Sequence, residues 1–183
     1  MGQAGTLQDQ NINLVFDSLD ADRDGQIELD DLAALARGIA QRVGARPGSA
    51  QEQKLLDAYF AWWSHLQQTL DTDQNDVITR AEFAQGFQRP GVVEQSSEHS
   101  RRAARAIAEL LDADQDGYIS QDEYIQFTVQ FDGMDLRIAQ EGFRRLDTDG
   151  DGQVTIAELE TGWHQMLHST NPSAPGTTLL GQN

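Results

Sequence analysis

Residues 112–123 read DADQDGYISQDE, and residues 147–158 read DTDGDGQVTIAE. Both segments fit the twelve-residue pattern D-x-[DN]-x-[DN]-G-x₅-E at every specified position. This spacing brings side-chain oxygens from positions 1, 3, 5 and 12 and the backbone carbonyl of position 7 around one centre. Such a shell suits Ca²⁺, a hard cation that takes roughly six to eight oxygens, and glycine at position 6 supplies the positive φ of the sharp turn. The two segments therefore predict two calcium sites.

Two further segments, residues 20–31 (DADRDGQIELDD) and 71–82 (DTDQNDVITRAE), depart from the pattern at one position each. The predicted ligands of all four loops, with position 7 acting through its carbonyl, are Asp20, Asp22, Asp24, Gln26 and Asp31; Asp71, Asp73, Asn75, Val77 and Glu82; Asp112, Asp114, Asp116, Tyr118 and Glu123; Asp147, Asp149, Asp151, Gln153 and Glu158. The sequence thus predicts three to four Ca²⁺ ions.

The departures concern the closing ligand of the first loop and the turn of the second. Asp31 is one methylene shorter than glutamate, so bidentate binding requires a tighter loop, and Mg²⁺ with about six ligands competes better with Ca²⁺ there. Glu28 at position 9 is available to compensate. Asp76 replaces the glycine of the second loop, at a cost of about 1 kcal/mol for the left-handed conformation. A loop kept mainly for pairing with the first loop is the alternative interpretation of residues 71–82.

The four loops belong to an internal repeat of helix, loop and helix. Apolar residues recur at helical spacing on both sides of each loop, and position 8 is apolar in every unit: Ile27, Ile78, Ile119 and Val154. That position predicts a short strand joining two loops. We therefore expect an all-α fold, a compact globule of two pairs of units with short β pairing between loops. The expected divisions are residues 1–90, 98–170 and a tail at 171–183, with the polar segment 89–100 separating the pairs.

The acidic charge of the chain is concentrated in the loops. The formal net charge is −17, and the four loops hold nineteen of the thirty acidic residues but only two of the thirteen Lys and Arg residues. Carboxylates this close repel one another and favour a bound cation. The same charge disfavours nucleic acid as a partner. The chain has no cysteine, no membrane-spanning apolar run, and neither a phosphate-binding loop nor a hydrolase motif, so we expect neither a membrane protein nor an enzyme.

These motifs resemble the EF-hand superfamily. The two pairs of units, the long first connection and the C-terminal segment from Asn171 to Gly181 are similar to the sarcoplasmic calcium-binding proteins and their bacterial relatives of the calerythrin type. Asp31 closing the first loop is a further similarity to calerythrin. The resemblance implies a helical globule with the tail folded against its two halves, and calcium buffering or transport. Many relatives have a silent second unit, whereas the ligands of loop 71–82 are present here.

A cytoplasmic, monomeric calcium buffer is the leading functional hypothesis. Calcium sensors use methionine-rich grooves for their partners, but only Met134 and Met166 lie in the body of this chain. Two alternatives stay open: a sensor that regulates an unidentified protein, and a carrier of an aromatic small ligand. The aromatic cluster of Tyr59, Phe60, Trp62 and Trp63 predicts core packing first and a ligand cavity second. The four histidines are expected to face solvent.

Overall fold

The structure, a computed structural model, describes residues 7–132 and 135–168. Helices and short strands alternate through this part of the chain in the order α1 (Leu7–Leu19), β1 (Gln26–Ile27), α2 (Leu29–Arg42), α3 (Ala50–Leu70), β2 (Ile78–Thr79), α4 (Arg80–Phe87), α5 (Val92–Leu111), β3 (Tyr118–Ser120), α6 (Gln121–Asp132), α7 (Leu136–Leu146), β4 (Gln153–Thr155) and α8 (Ile156–His168). The predicted all-α architecture with repeated helix–loop–helix units is confirmed. The tail at 171–183 and Met134 lie outside the described residues.

Each loop begins at the residue that ends the preceding helix. The backbone N–H of Asp71 donates to Gln67 O, that of Asp112 to Ala108 O, and that of Asp147 to Phe143 O. The first loop residue therefore closes the last helical turn while its side chain turns inward. This arrangement places the first predicted ligand at a fixed distance from the packed helix.

Position 8 pairs the loops as predicted. Strands β1 and β2 are antiparallel with Ile27 opposite Ile78, and β3 and β4 are antiparallel with Ile119 opposite Val154. All four side chains are fully buried. Their alternation with polar neighbours points the apolar side chains into the core and leaves the loop backbone on the outside.

The hydrophobic core continues from one pair of units into the other. Helix α3 packs against α5, and α8 packs against both α5 and α1. Trp62 and Phe16 are among the largest fully buried side chains. The Phe16 ring meets Phe83 edge-on at 5.4 Å between centroids. The division into residues 1–90 and 98–170 stays a prediction.

Two connections differ in how well the sequence anticipates them. The segment Gly44–Gly48 separates α2 from α3, and the Ser49 side chain caps α3 by accepting the N–H of Glu52 at 3.2 Å. The polar segment 89–100 is mostly helical, because α5 begins at Val92 directly after Gly91, which takes a φ of 83°. Its polar residues are compatible with a helix, and Ser96 and Ser100 are buried in the packing of that helix.

Candidate metal centre

The aspartate at position 1 organises the turn of each loop. Its two carboxylate oxygens accept the backbone N–H groups of positions 5 and 6 at 2.9–3.3 Å: Asp24 and Gly25 on Asp20, Asn75 and Asp76 on Asp71, Asp116 and Gly117 on Asp112, and Asp151 and Gly152 on Asp147. Bonds to an ionised acceptor are stronger than neutral ones. The loop backbone is therefore folded around the first predicted ligand.

The carboxylate at position 12 joins the two ends of its loop. Glu158 accepts the N–H of Thr148 at 2.9 Å on Oε1 and the N–H of Thr155 at 2.9 Å on Oε2. Glu82 and Glu123 make the equivalent bonds to positions 2 and 9 of their loops at 2.8–3.0 Å. These contacts explain why the position-12 groups are held as anions. The pKa of Glu82 is lowered to about 2, chiefly by the Thr79 N–H. At Glu158, burial acts to raise the pKa, but the bonds from Thr148 and Thr155 outweigh it and the pKa is lowered.

Asp31 makes the same connections despite its shorter side chain. Its Oδ1 accepts the N–H of Ala21 at 3.1 Å, and its Oδ2 accepts the N–H of Glu28 at 2.8 Å. Burial nevertheless raises the pKa of Asp31, and the backbone bonds offset this only in part. The first loop therefore closes through aspartate, but its closing carboxylate is buried more deeply and ionises less readily.

Carboxylate oxygens converge within each loop. Oxygens of three acidic residues lie within 4.8 Å of one another in four groups: Asp20, Asp22 and Asp24; Asp71, Asp73 and Glu82; Asp112, Asp114 and Glu123; Asp147, Asp149 and Glu158. Two ligands on opposite sides of a Ca²⁺ ion are separated by about twice the Ca–O distance of roughly 2.4 Å, so this spacing fits a single ion. Asp31 is absent from the first group, which contains the position-5 residue, Asp24, instead.

Positions 5 and 7 are coupled through the backbone. The N–H of position 7 donates to the position-5 side chain at 2.8–2.9 Å in every loop: Gln26 to Asp24, Val77 to Asn75, Tyr118 to Asp116, and Gln153 to Asp151. This bond fixes the peptide of the residue whose carbonyl is predicted to bind metal. Metal binding by that carbonyl and by the position-5 oxygens stays a prediction.

Two positions of each loop adopt left-handed backbone conformations. Position 6 has φ of 86–89° at its three glycines and 64° at Asp76, as expected for an aspartate taking the place of glycine. Position 4 is also left-handed, with φ of 62° at Arg23, 59° at Gln74, 61° at Gln115 and 74° at Gly150. The pattern leaves position 4 unspecified, so sequence reasoning missed the positive φ at this position. The signal available in the sequence was the glycine at position 4 of the last loop, Gly150.

The prediction that the histidines face solvent is wrong for the two that lie between α3 and α5. His65 of α3 and His99 of α5 are half-buried and stack at 4.5 Å between ring centroids with 15° between their planes. His65 Nε2 also contacts Ser96 Oγ at 3.1 Å. Burial lowers the pKa of both histidines. The neighbouring His99 lowers the pKa of His65 further, and Arg102 lowers the pKa of His99 further. The rings therefore pack as neutral groups.

A cavity of about 330 Å³ lies among helices α1, α2, α3, α5, α6 and α8. Its lining includes Tyr59, Trp62, Tyr124, Phe127 and Trp163. The predicted packing role of the aromatic cluster holds for Trp63, which is 6% exposed and is not part of this lining. Tyr59 and Trp62 are buried and also line the cavity, so they are compatible with core packing and with a ligand cavity.

The loop chemistry and the comparisons with known proteins agree. The sequence matches the EF-hand domain pair family over residues 9–88 and the EF hand family over residues 109–128 and 138–163. It is 27% identical to calerythrin from Saccharopolyspora erythraea, over 80% of this chain and 84% of that protein. It is also 27% identical to mitrocomin from Mitrocoma cellularia, over 88% of this chain and 83% of that protein.

A solved structure supports the same assignment. The calcium-binding protein of Streptomyces coelicolor superposes with a TM-score of 0.75 at 26% identity, covering 87% of this chain and 97% of that one. The described part of this chain contains no helix long and apolar enough to cross a membrane. Paired loops, converging oxygens and family matches over both halves lead to one conclusion: the chain belongs to the EF-hand proteins and binds calcium through its EF-hand loops.

Proposed function

We propose that this protein is an intracellular calcium buffer rather than an enzyme. The observation that carries the proposal is that the position-12 carboxylate of every loop is bonded to positions 2 and 9 of its own loop, as Glu158 is to Thr148 and Thr155. These bonds connect the end of the helix that enters each loop to the start of the helix that leaves it. The apolar faces of those helices are already buried in a shared core. Placement in the cytoplasm stays a prediction from the sequence.

The proposal assigns Ca²⁺ to loops 71–82, 112–123 and 147–158 through the ligands at positions 1, 3, 5, 7 and 12. Occupancy of loop 71–82 is supported by Glu82, which lies in an oxygen group with Asp71 and Asp73. Loop 20–31 takes Ca²⁺ or Mg²⁺, since Asp31 is not part of the corresponding group. Calorimetric titration with each metal counts the sites: three or four calcium equivalents support the assignment, and two or fewer would contradict it.

A sensor that regulates another protein is the main alternative. The Streptomyces coelicolor relative is presented as acting in prokaryotic calcium-mediated regulation. Sensors open an apolar groove when calcium binds. Among the described residues, the large apolar side chains that are strongly exposed are Leu29, Tyr118 and Leu136, which belong to three different elements. This scatter favours the buffer.

The buffer and the sensor are separated by fluorescence of an apolar dye with calcium and with chelator. A buffer gives equal or lower dye fluorescence with calcium, because chelation loosens the carboxylate-rich loops. A large calcium-dependent increase would overturn the buffer proposal. Glu158→Gln serves as the matched control, because it removes one closing carboxylate and leaves the predicted ligands of the other three loops unchanged.

Carriage of an aromatic small ligand is a second candidate function. The 330 Å³ cavity has the size of a small-ligand site. The indole nitrogens of Trp62 and Trp163, which line it, are buried and have no hydrogen-bond partner among the described residues. Two such donors suit a ligand with a carbonyl or hydroxyl group on an apolar frame. Native mass spectrometry tests this candidate: a co-purifying organic ligand supports it, and a protein that carries only metal counts against it.

A further inference from the structure

Position 2 of the loops alternates between two residues. Loops 20–31 and 112–123 begin Asp-Ala-Asp, whereas loops 71–82 and 147–158 begin Asp-Thr-Asp. Each antiparallel loop pair therefore contains one alanine loop and one threonine loop. Position 2 lies outside the ligand pattern, so neither residue has a role in the proposed metal shell.

The threonine hydroxyls contact the closing glutamates. Thr72 Oγ1 donates to Glu82 Oε1 at 2.8 Å, and Thr148 Oγ1 donates to Glu158 Oε1 at 2.7 Å. Each hydroxyl adds to the bond from the N–H of the same residue, at 3.0 Å for Thr72 and 2.9 Å for Thr148. In loop 112–123, Ala113 supplies only its N–H, at 2.9 Å from Glu123.

The second oxygen of each glutamate is held in the same way. Thr155 donates to Glu158 Oε2 from its N–H at 2.9 Å and from its hydroxyl at 2.9 Å. Glu158 therefore accepts two bonds on each carboxylate oxygen. The same carboxylate also lies in the oxygen group with Asp147 and Asp149. The protein donors thus restrict the orientation of the group beside these two predicted ligands.

We propose that Thr72 and Thr148 are positioning residues that hold Glu82 and Glu158 ready to bind calcium, and that they strengthen binding in the threonine loops. The proposal rests on the ligand assignment made above. The hydroxyls are not among the predicted ligands; they act by limiting the rotamers of the closing glutamate. A glutamate that is free to rotate loses side-chain entropy on binding, and a restrained one loses less.

The test uses the full chain with ¹⁵N NMR during calcium titration. The position-6 amides of Gly117 and Gly152 report the two loops of the second pair separately, because each donates to the position-1 aspartate of its own loop. Thr148→Val keeps the shape of the side chain and removes the hydroxyl. It should weaken loop 147–158 by roughly fivefold, the equivalent of one net hydrogen bond. Thr148→Ser should restore most of that loss.

The reverse substitution tests the same proposal in loop 112–123, where position 2 is alanine and has no hydroxyl. Ala113→Thr should strengthen loop 112–123 by a similar factor without altering any proposed ligand. The Ala113→Thr measurement tests the proposal even if the Thr148→Val variant folds poorly. Melting curves in chelator separate a structural effect: a merely structural threonine would shift the melting temperature in Val and Ser variants while leaving their calcium dissociation constants equal.

Three outcomes would overturn the proposal: equal affinity in Thr148→Val and Thr148→Ser, an unchanged loop in Thr148→Val, or tighter binding in that variant. Tighter binding would mean that the hydroxyl competes with the ion for Glu158. Glu158→Gln distinguishes these failures from failure of the ligand assignment. If that variant still fills loop 147–158 with wild-type affinity, the assignment itself is wrong; if it loses the site while Thr148→Val is neutral, only the role of the hydroxyl is wrong.

Discussion

Acidification should destabilise the protein through the stacked histidines of α3 and α5. Burial lowers the pKa of His65 and of His99 below the ordinary value that each has in the unfolded chain. Above that ordinary value, near 6.5, both states are neutral and the pair contributes no pH dependence. As the pH falls below it, the unfolded chain takes up protons before the folded one does. Folding stability is therefore lost on the acid side of about pH 6.5.

The repulsion within the pair adds to the cost of burial, and its size follows from the ring separation. Two positive charges at the 4.5 Å between the ring centroids repel by about 1–2 kcal/mol, if the half-exposed pair is given an effective dielectric constant of roughly 40–80. Nearby charges partly cancel, because Glu98 favours the charged form of His99 and Arg102 disfavours it. For a chain of 183 residues, each kcal/mol lowers the melting temperature by about 2–4 °C. The expected loss is about 2–8 °C.

Thermal unfolding followed by circular dichroism in saturating calcium, at about pH 7.5 and about pH 5.5, measures this loss. The His65→Gln variant removes one ring of the pair and should lose correspondingly less on acidification. His164→Gln is the matched control: it removes another half-buried histidine, whose pKa burial also lowers, and keeps the stacked pair, so His65→Gln should reduce the loss more than His164→Gln does. If the wild type and His65→Gln lose the same number of degrees, the pair does not set the acid response.

Three further predictions concern the loops and the core. Asp31→Glu should raise the preference of loop 20–31 for Ca²⁺ over Mg²⁺ by roughly an order of magnitude, measured by calorimetry with both metals, since the longer side chain restores bidentate reach. Ile119→Ala should weaken calcium binding in loop 147–158 as well as in its own loop, because Ile119 pairs with Val154; unaltered amide titration of Gly152 would contradict this. Phe16→Ala should cost about 3–5 kcal/mol in chemical denaturation, because the ring is fully buried against Phe83, and a loss below 1 kcal/mol would contradict that packing.

The sequence predicted what is encoded locally. All predicted ligands of one loop lie within twelve consecutive residues, so the spacing alone brings Asp147 and Glu158 together once the turn forms. The strand pairing was also predictable, because an apolar residue at one loop position in all four units has to be buried. Asp76 could be assigned a left-handed conformation from its position, and it has one.

The features that sequence reasoning missed depend on contacts between distant helices or on unspecified positions. His65 and His99 lie in separate helices without a shared motif, so only the packing of α3 against α5 brings them together. The polar segment after Gly91 looks like a linker, yet it forms helix because Ser96 and Ser100 find buried places on α5. Thr148 belongs to an unspecified position of the pattern, and its role emerges only from its bond to Glu158.

The pairing of loops through buried residues has a consequence for how the protein fills with calcium. Ile27 with Ile78, and Ile119 with Val154, join the backbones of two neighbouring loops, so ordering one loop orders part of the next. The second ion of a pair then meets a loop whose ordering cost is already reduced. Half-filled pairs should be scarce, and the uptake curve should be steeper than that of independent sites. In the proposed role of a buffer, the protein would store calcium in units of two and would hold the free concentration near a threshold instead of damping it evenly over a wide range.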